Sequence, residues 1–347
     1  MPKTINTLRH PKKQSKPHHG FTLLELLVVV SLLGLLSLTA VALFDNAGDQ
    51  DRFEATRSRL ASIRTAIIGD TSRTLNGEPM LSGYVADMGR LPSNLKELIE
   101  LGSQTAWSQY PIEDNEDVGV SITFEEKVYG GWRGPYLFGT PEASGTTFRD
   151  GWATETSPAH ADDFDWNVTL TDASGTQVFT GASATTIAVQ SYGSDRQASG
   201  TDYAEDYPAS DNLLDANHWR NGVSNTDFVI NFNVMSVSGV EPNTDNLQLR
   251  VYYFDDNDVA DRINYAKSET FSFGASVTGT YTKVVSIDKP LAMGKFAYIV
   301  WCTNNASGTS LTDLYDGNCP TTADKGAQYI TLTPNMLQPI SINWTIP

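Results

Sequence analysis

The sequence predicts an α+β chain. A long N-terminal helix crosses a membrane and packs its far end on a small antiparallel sheet, and an all-β sandwich domain comes after it. Three observations carry this reading. Phe21 to Phe44 is an apolar run whose one charged residue is Glu25. Beyond it Phe53, Leu60, Ile63 and Ile67 recur at helical spacing, so one face can pack on a sheet. From Asp227 to Pro347, short β-type runs are separated by Gly, Asn, Asp and Pro turns. At 347 residues the chain can hold about two domains of ordinary size.

Residues 1–20 contain Lys3, Arg9, Lys12, Lys13 and Lys16 and no acid, so they read as a targeting leader outside the fold. The run 21–44 would span ~36 Å as a helix, against a hydrocarbon core of ~30 Å, and so can cross a bilayer at a tilt. The basic side stays in the cytoplasm, which places everything after Phe44 on the far side, the periplasm in a bacterium. With the five leader bases set aside, 19 of the 24 bases face 41 acids. Such a surface repels nucleic acid and anionic lipid, so no nucleic-acid partner is expected. A lone carboxylate near the bilayer costs about 3 kcal/mol, so Glu25 calls for a partner.

Residues 45–75 continue the helix beyond the membrane, with Arg52, Arg57, Arg59 and Arg64 distributed around its apolar positions, and Gly69 and Asp70 signal its end. Residues 76–215 read as a globular segment. It opens on a short helix with Ser93 as N-cap, Leu95, Leu98, Ile99 and Leu101 as its apolar side, and Gly102 closing it. Strands are expected near 166–170, 177–180 and 186–190. Residues 223–347 hold alternating runs at 228–234, 247–254, 296–302 and 328–333, some eight strands in all, which suggests an immunoglobulin-like β-sandwich. Cys302 and Cys319 are the only cysteines. A single disulfide in an oxidising compartment is the better reading, with two separate thiols as the alternative.

The string His19-Gly20-Phe21-Thr22-Leu23-Leu24-Glu25, leading into the apolar run, resembles the class III leader junction of type IV prepilins and type II secretion pseudopilins. The resemblance implies that a prepilin peptidase cuts between Gly20 and Phe21 and methylates the new Phe21 amine. It implies that Glu25 pairs with the Phe21 amine of a neighbouring subunit during self-assembly on an inner-membrane platform. Ala42 stands where such helices usually carry proline. Gly131 to Leu137 and Asp150-Gly151-Trp152 look like loops of the major pseudopilin type, with Ala153-Thr154-Glu155 replacing the usual continuation. The stretch Ser191 to Asp206 resembles the loop with which major pseudopilins hold calcium. That implies Ca2+ ligands among Ser191, Ser194, Asp195, Asp202 and Asp206, with Arg196 where the family has a glycine. A solvated acidic loop is the alternative there.

No nucleophile elbow, phosphate loop or HExxH pattern accompanies the five histidines, so an anchored periplasmic hydrolase is disfavoured and no catalytic residue is assigned. Asp255-Asp256-Asn257-Asp258 lacks the glycine and distal glutamate of an EF-hand and reads as a solvated hairpin turn. Trp132, Trp152, Trp166 and Trp219 read as core cover before ligand surface. The expected function is a structural subunit of a type II secretion pseudopilus in the inner membrane. The alternative is a minor pilin of a surface type IV pilus whose C-terminal domain binds a target.

Overall fold

The apolar run and the periodic segment after it form one helix, α1 (Leu23–Ile68), which passes through Ala42 without a break. The computed structural model describes residues 22–70, 72–75, 78–79, 81–114, 122–143, 145–153, 162–209, 212–221, 229–236, 246–258, 262–272, 279–304, 310–314, 326–334 and 340–346. Side chains 38–47 lie outside the described set, and with them part of the expected span 21–44. Among the described residues no helix carries a stretch long and apolar enough to cross a membrane.

The chain divides into two units, Met1–Asp51 and Arg52–Pro347. In the second, the far end of α1 buries Leu60, Ile63, Ala66, Ile67 and Ile68. The helix stops where Gly69 turns to φ 72° and donates its N–H to the Thr65 carbonyl at 2.7 Å. A Cβ at Gly69 would sit 2.2 Å from the Ser82 carbonyl oxygen, so the stop also needs the absent side chain. The arginines of this half-helix serve as latches. Arg59 donates to the carbonyls of Arg149 and Asp150 at 2.8 and 2.7 Å, Arg64 donates to the Leu213 carbonyl, and Arg52 lies 5.7 Å from the centre of the Trp152 ring.

After a minimal pair, β1 (Thr74–Leu75) and β2 (Glu78–Pro79), comes α2 (Tyr84–Met88), which the sequence reading did not anticipate. It buries Tyr84, Val85, Asp87 and Met88 between two glycines. The next helical turn, Leu95–Leu98, is a 3-10 helix, and its cap corrects the expectation. Asn94, not Ser93, caps it, accepting the Glu97 N–H at 3.2 Å. Ser93 is used elsewhere: its hydroxyl accepts Gly181 N–H at 3.1 Å and its N–H goes to the Glu97 carboxylate. Leu95, Leu98 and Ile99 are buried as expected, but Leu101 is exposed.

Two hairpins come next, β3 (Ser108–Asp114) with β4 (Ile122–Gly130), then β5 (Thr140–Glu142) with β6 (Gly145–Thr147). The three expected strands are present as β7 (Asn167–Thr171), β8 (Gln177–Val178) and β9 (Thr186–Gln190), an antiparallel sheet in the order β8-β7-β9. The strand β10 (Arg220–Asn221) pairs far along the chain with β15 (Leu291–Ala292).

The C-terminal strands form two sheets. In one, β11 (Val229–Ser236) lies between β14 (Gly279–Ser286), antiparallel, and β19 (Ile340–Ile346), parallel. The other is antiparallel throughout, in the order β13-β12-β16-β17, with β18 also on β16. Its members are β12 (Asn246–Phe254), β13 (Ile263–Lys267), β16 (Gly294–Asn304), β17 (Ser310–Leu314) and β18 (Gln328–Leu332).

This second sheet is apolar on both faces. Leu247, Leu249 and Val251 of β12, with Phe296, Tyr298, Val300 and Cys302 of β16, enter one core with Ile340, Ile342 and Trp344 of β19. Their neighbours Tyr252, Phe254, Ala297, Ile299 and Trp301 enter the other, with Leu60, Ile63 and Ile67 of α1 and Tyr84, Val85 and Met88 of α2. The run at 296–302 was expected to alternate; it is continuous, because both faces are covered.

Ile299 and Val300, adjacent on β16, therefore test each core. Each truncation to Ala should cost about 2–4 kcal/mol, and both should lower the midpoint of one cooperative denaturant transition of 52–347 monitored in the full chain. Two separated transitions, each sensitive to one variant, would contradict the shared sheet.

Candidate functional site

Thr22 and Glu25 lie three apart at the start of α1, the spacing of a capping box. The geometry is that box. Thr22 N–H and Oγ1 each lie 3.0 Å from Glu25 Oε2, and Glu25 N–H donates to Thr22 Oγ1 at 3.2 Å. Two of the orphan amides at the helix head, those of Thr22 and Glu25, are thus partnered within one turn. The sequence reading assigned Glu25 a partner in another subunit and missed this local one, although the T-x-x-E signature was legible. Gly20 and Phe21 lie outside the described residues.

The second predicted site, the loop after β9, is divided by the structure. Ser191 is fully buried; its hydroxyl donates to Asp150 Oδ2, and its backbone exchanges hydrogen bonds with Tyr207 at 2.8 and 2.9 Å. Asp150 also takes the N–H groups of Trp152 and Ala153 on Oδ1 at 3.0 and 2.7 Å. Gly151 between them lies on α1: its N–H reaches Thr56 Oγ1 at 2.9 Å, and a Cβ there would meet the Arg52 carbonyl oxygen at 2.1 Å. The Asp150-Gly151-Trp152 motif thus joins helix to loop through backbone contact that glycine permits.

Ser194, Asp195 and Asp202 are exposed. Ser194 donates its N–H to the Tyr203 carbonyl at 2.7 Å, and Asp195 Oδ1 accepts the Gln197 N–H at 3.0 Å. Asp206 Oδ2 accepts Ser199 N–H at 3.0 Å, while its Oδ1 is buried without a hydrogen-bond partner. Arg196 holds φ 58°, the left-handed region that favours glycine, and its guanidinium lies 3.4 Å from Asp165. Among the described residues no group of three or more His, Cys, Asp or Glu side chains is arranged to hold a metal.

The aspartate run is a hairpin turn between β12 and β13, but Asp256 is not solvated, which corrects that expectation. It is 12% exposed and accepts Arg90 Nη2 at 3.1 Å and Thr105 N–H at 3.2 Å. Arg90 also meets Glu97 at 2.8 Å, and Glu97 accepts Tyr84 Oη at 2.5 Å. Asp87 of α2 is buried and takes Arg133 Nε and Nη2 at 3.1 and 2.8 Å and Tyr136 Oη at 2.9 Å.

The tryptophans are structural. Trp132, Trp166 and Trp219 donate their indole N–H to the carbonyls of Glu97, Phe148 and Thr185 at 2.7, 2.8 and 3.0 Å. Cys302 is buried and disulfide-bonded; Cys319 lies outside the described residues. His218 faces Asp215 in its own 3-10 turn, and the other four histidines lie outside the described residues.

Residues 15–41 match the family model described as the prokaryotic N-terminal methylation motif. No curated protein and no solved structure matches the chain. The matched segment contains Gly20, Phe21, Thr22 and Glu25. It carries the N-methylation motif of prokaryotic type IV prepilin-like proteins, which implies processing by prepilin peptidase, a membrane-anchored N-terminus with the remainder of the chain exported, and assembly with other pilins. This motif belongs to structural subunits.

Asp256 and Asp87 titrate in opposite senses. Burial works to raise Asp256, but the bonds from Thr105 and Arg90 outweigh it and hold the carboxyl below its ordinary value of 3.8. Burial raises Asp87 to about 6, outweighing Arg133 and Tyr136. Stability from Asp256 is present above its ordinary value and lost as pH falls through the depressed one. Stability linked to Asp87 is present below its ordinary value and lost as pH rises through about 6. Melting temperature against pH should therefore fall less between about 4 and 6 in Asp87→Asn than in wild type, and fall less at the acid end in Asp256→Asn. Unchanged slopes in both variants would contradict these environments.

Proposed function

We propose that this chain is a structural subunit of a type II secretion pseudopilus. Its residues 21–44 hold it in the inner membrane as a single pass until the subunit is drawn into a periplasmic filament. The observation that carries the reading is the methylation motif at 15–41, whose Thr22 and Glu25 form the cap of α1. The loops at 131–137 and 150–152 support the secretion form over a surface pilus.

The capping box refines the role of Glu25. Both Thr22 donors use Oε2, and an ionised carboxylate has acceptor sites on each oxygen. Cleavage after Gly20 leaves Thr22 and Glu25 in the mature chain, so the cap persists. Oε1 receives the methylated Phe21 amine of the next subunit. An out-of-register neighbour leaves a desolvated charge unpaired, at a cost of about 3–5 kcal/mol, so the pair sets stacking register more than it adds stability.

The acidic loop is proposed to hold calcium around Asp206, whose buried Oδ1 lacks a partner, with Asp202 and backbone carbonyls completing an oxygen set. Ser191 is left out of that set because its hydroxyl is fully buried, donating to Asp150 and accepting Gly193 N–H. The disulfide of Cys302 is proposed to close on Cys319, consistent with an oxidising periplasm.

Intact mass of the membrane-extracted protein should show loss of residues 1–20 and one added methyl, and Gly20→Ala should remain uncleaved. A mature chain starting at Met1 would end the reading. Glu25→Ala should insert normally yet assemble poorly. Deleting the subunit should block export of a folded protein, whereas its recovery in sheared surface filaments would favour a pilus. Chelation should lower the melting temperature of the full chain, and Asp206→Ala should abolish that shift; a chelator-insensitive wild type would remove the calcium proposal.

A further inference from the structure

A chain carrying 41 acids against 24 bases places four cations on the wall of one cavity of about 220 Å³: Arg90, Arg220, Lys289 and Lys295. The acids on the same wall are already engaged. Asp87 is bound by Arg133, Asp256 by Arg90, and Asp255 accepts from the N–H of Asn257 and from Asn264 Nδ2. Of the four cations Arg90 is paired with Glu97 and Asp256, whereas Arg220, Lys289 and Lys295 have no carboxylate partner among the described residues. Lys289 Nζ donates to Tyr253 Oη at 2.9 Å, and Lys295 Nζ lies 4.6 Å from the centre of the Tyr329 ring.

Arg220 is the most constrained of them. Its backbone is paired in β10 with Ala292 of β15, and its guanidinium lies over the Trp219 ring at 4.7 Å. Trp219 is itself pinned by its indole bond to Thr185, and Asn221 by Nδ2 donating to the Thr333 carbonyl at 3.0 Å. The guanidinium is thus held in a fixed plane, yet its Nε is buried with no hydrogen-bond partner. Burial lowers the pKa of this group, the sign of a cation lacking a counter-charge. The guanidinium's charge thus stands on the cavity wall without a carboxylate among the described residues, an arrangement that an anion reaching it from the cavity would complete.

We propose that this cavity binds the carboxylate of a small organic acid, with Arg220 as the bidentate donor, Lys289 and Lys295 as flanking charge, and Met88, Met293 and Phe296 as the wall for its apolar body. The guanidinium fork matches two carboxylate oxygens in its plane. The volume admits a compact ligand and excludes a chain of several residues. The site is independent of the filament reading, since its named residues all lie in the 52–347 unit.

The test is calorimetric titration of the full chain in a non-ionic detergent with benzoate, benzamide and inorganic phosphate. Benzoate should bind and benzamide should not. Arg220→Met should abolish the heat, and Arg220→Lys, which keeps the charge without the fork, should bind about tenfold more weakly. Should Arg220→Met fail to fold, the double variant Lys289→Met, Lys295→Met must weaken benzoate by a similar factor. No heat with benzoate at about 10 mM, unchanged binding in the variants, or equal binding of benzamide or phosphate would overturn the proposal.

Discussion

The sheet built on β12 and β16 is buried on both sides, and the rest of the 52–347 unit is arranged around that constraint. Side chains alternate across a strand, so each of these strands feeds two cores at once. One face closes on β19 through Ile340, Ile342 and Trp344; the other closes on α1 and α2. Polar groups enter this interior with partners. Trp301 Nε1 donates to Tyr252 Oη at 2.9 Å, and the buried Arg250 lies 4.8 Å from the ring centres of both Tyr265 and Trp301. A cation between two aromatic faces is held by the negative potential of both rings.

Where apolar packing leaves the relative placement of segments open, charge fixes it. Arg90 bridges Glu97 in the early part of the chain and Asp256 at the β12 turn, all three side chains being less than one-fifth exposed. Removing one partner of such a set costs about 3–5 kcal/mol, although the set as a whole adds little over an apolar replacement. Its contribution is to penalise misplacement of the turn. Arg59 and Arg64 act similarly from α1, binding main-chain carbonyls of loops that have no ladder to satisfy them.

The parts of this fold legible in the sequence are those with a long or repeated pattern. Leu60, Ile63 and Ile67 marked the buried stripe of α1, and β7 and β9 fell where alternation placed them. α2 has five residues between Gly83 and Gly89, too few to show a helical period. The cap at 93–94 offered two competent residues side by side, and the choice depended on Gly181, far along the chain. The run at 296–302 was read as a strand but as an alternating one; its cover on both faces comes from α1, α2 and β19, which lie far from it in sequence. At the candidate site, Gly20, Phe21 and Glu25 were legible because a short contiguous string carries them, as was the Thr22 box that went unread. Asp150 was legible as part of its loop motif but its bond to Ser191 was not, and Arg90 and Arg220 went unread, because the partners or cavity walls they meet are distant in sequence.

The order in which the chain is made bears on the larger core. Its first apolar contributors, Leu60 to Ile68, are synthesised long before Tyr252, Phe254, Ile299 and Trp301, which cover them. Contacts of such sequence separation carry a high loop-closure cost and form late. In a chain exported behind its own N-terminal helix, the stripe of α1 stays without its final cover until the last third has been delivered. The interval is one in which exposed apolar surface and an unpaired sheet edge invite association with other chains. The rate at which the last third is delivered sets how long that stripe stands uncovered.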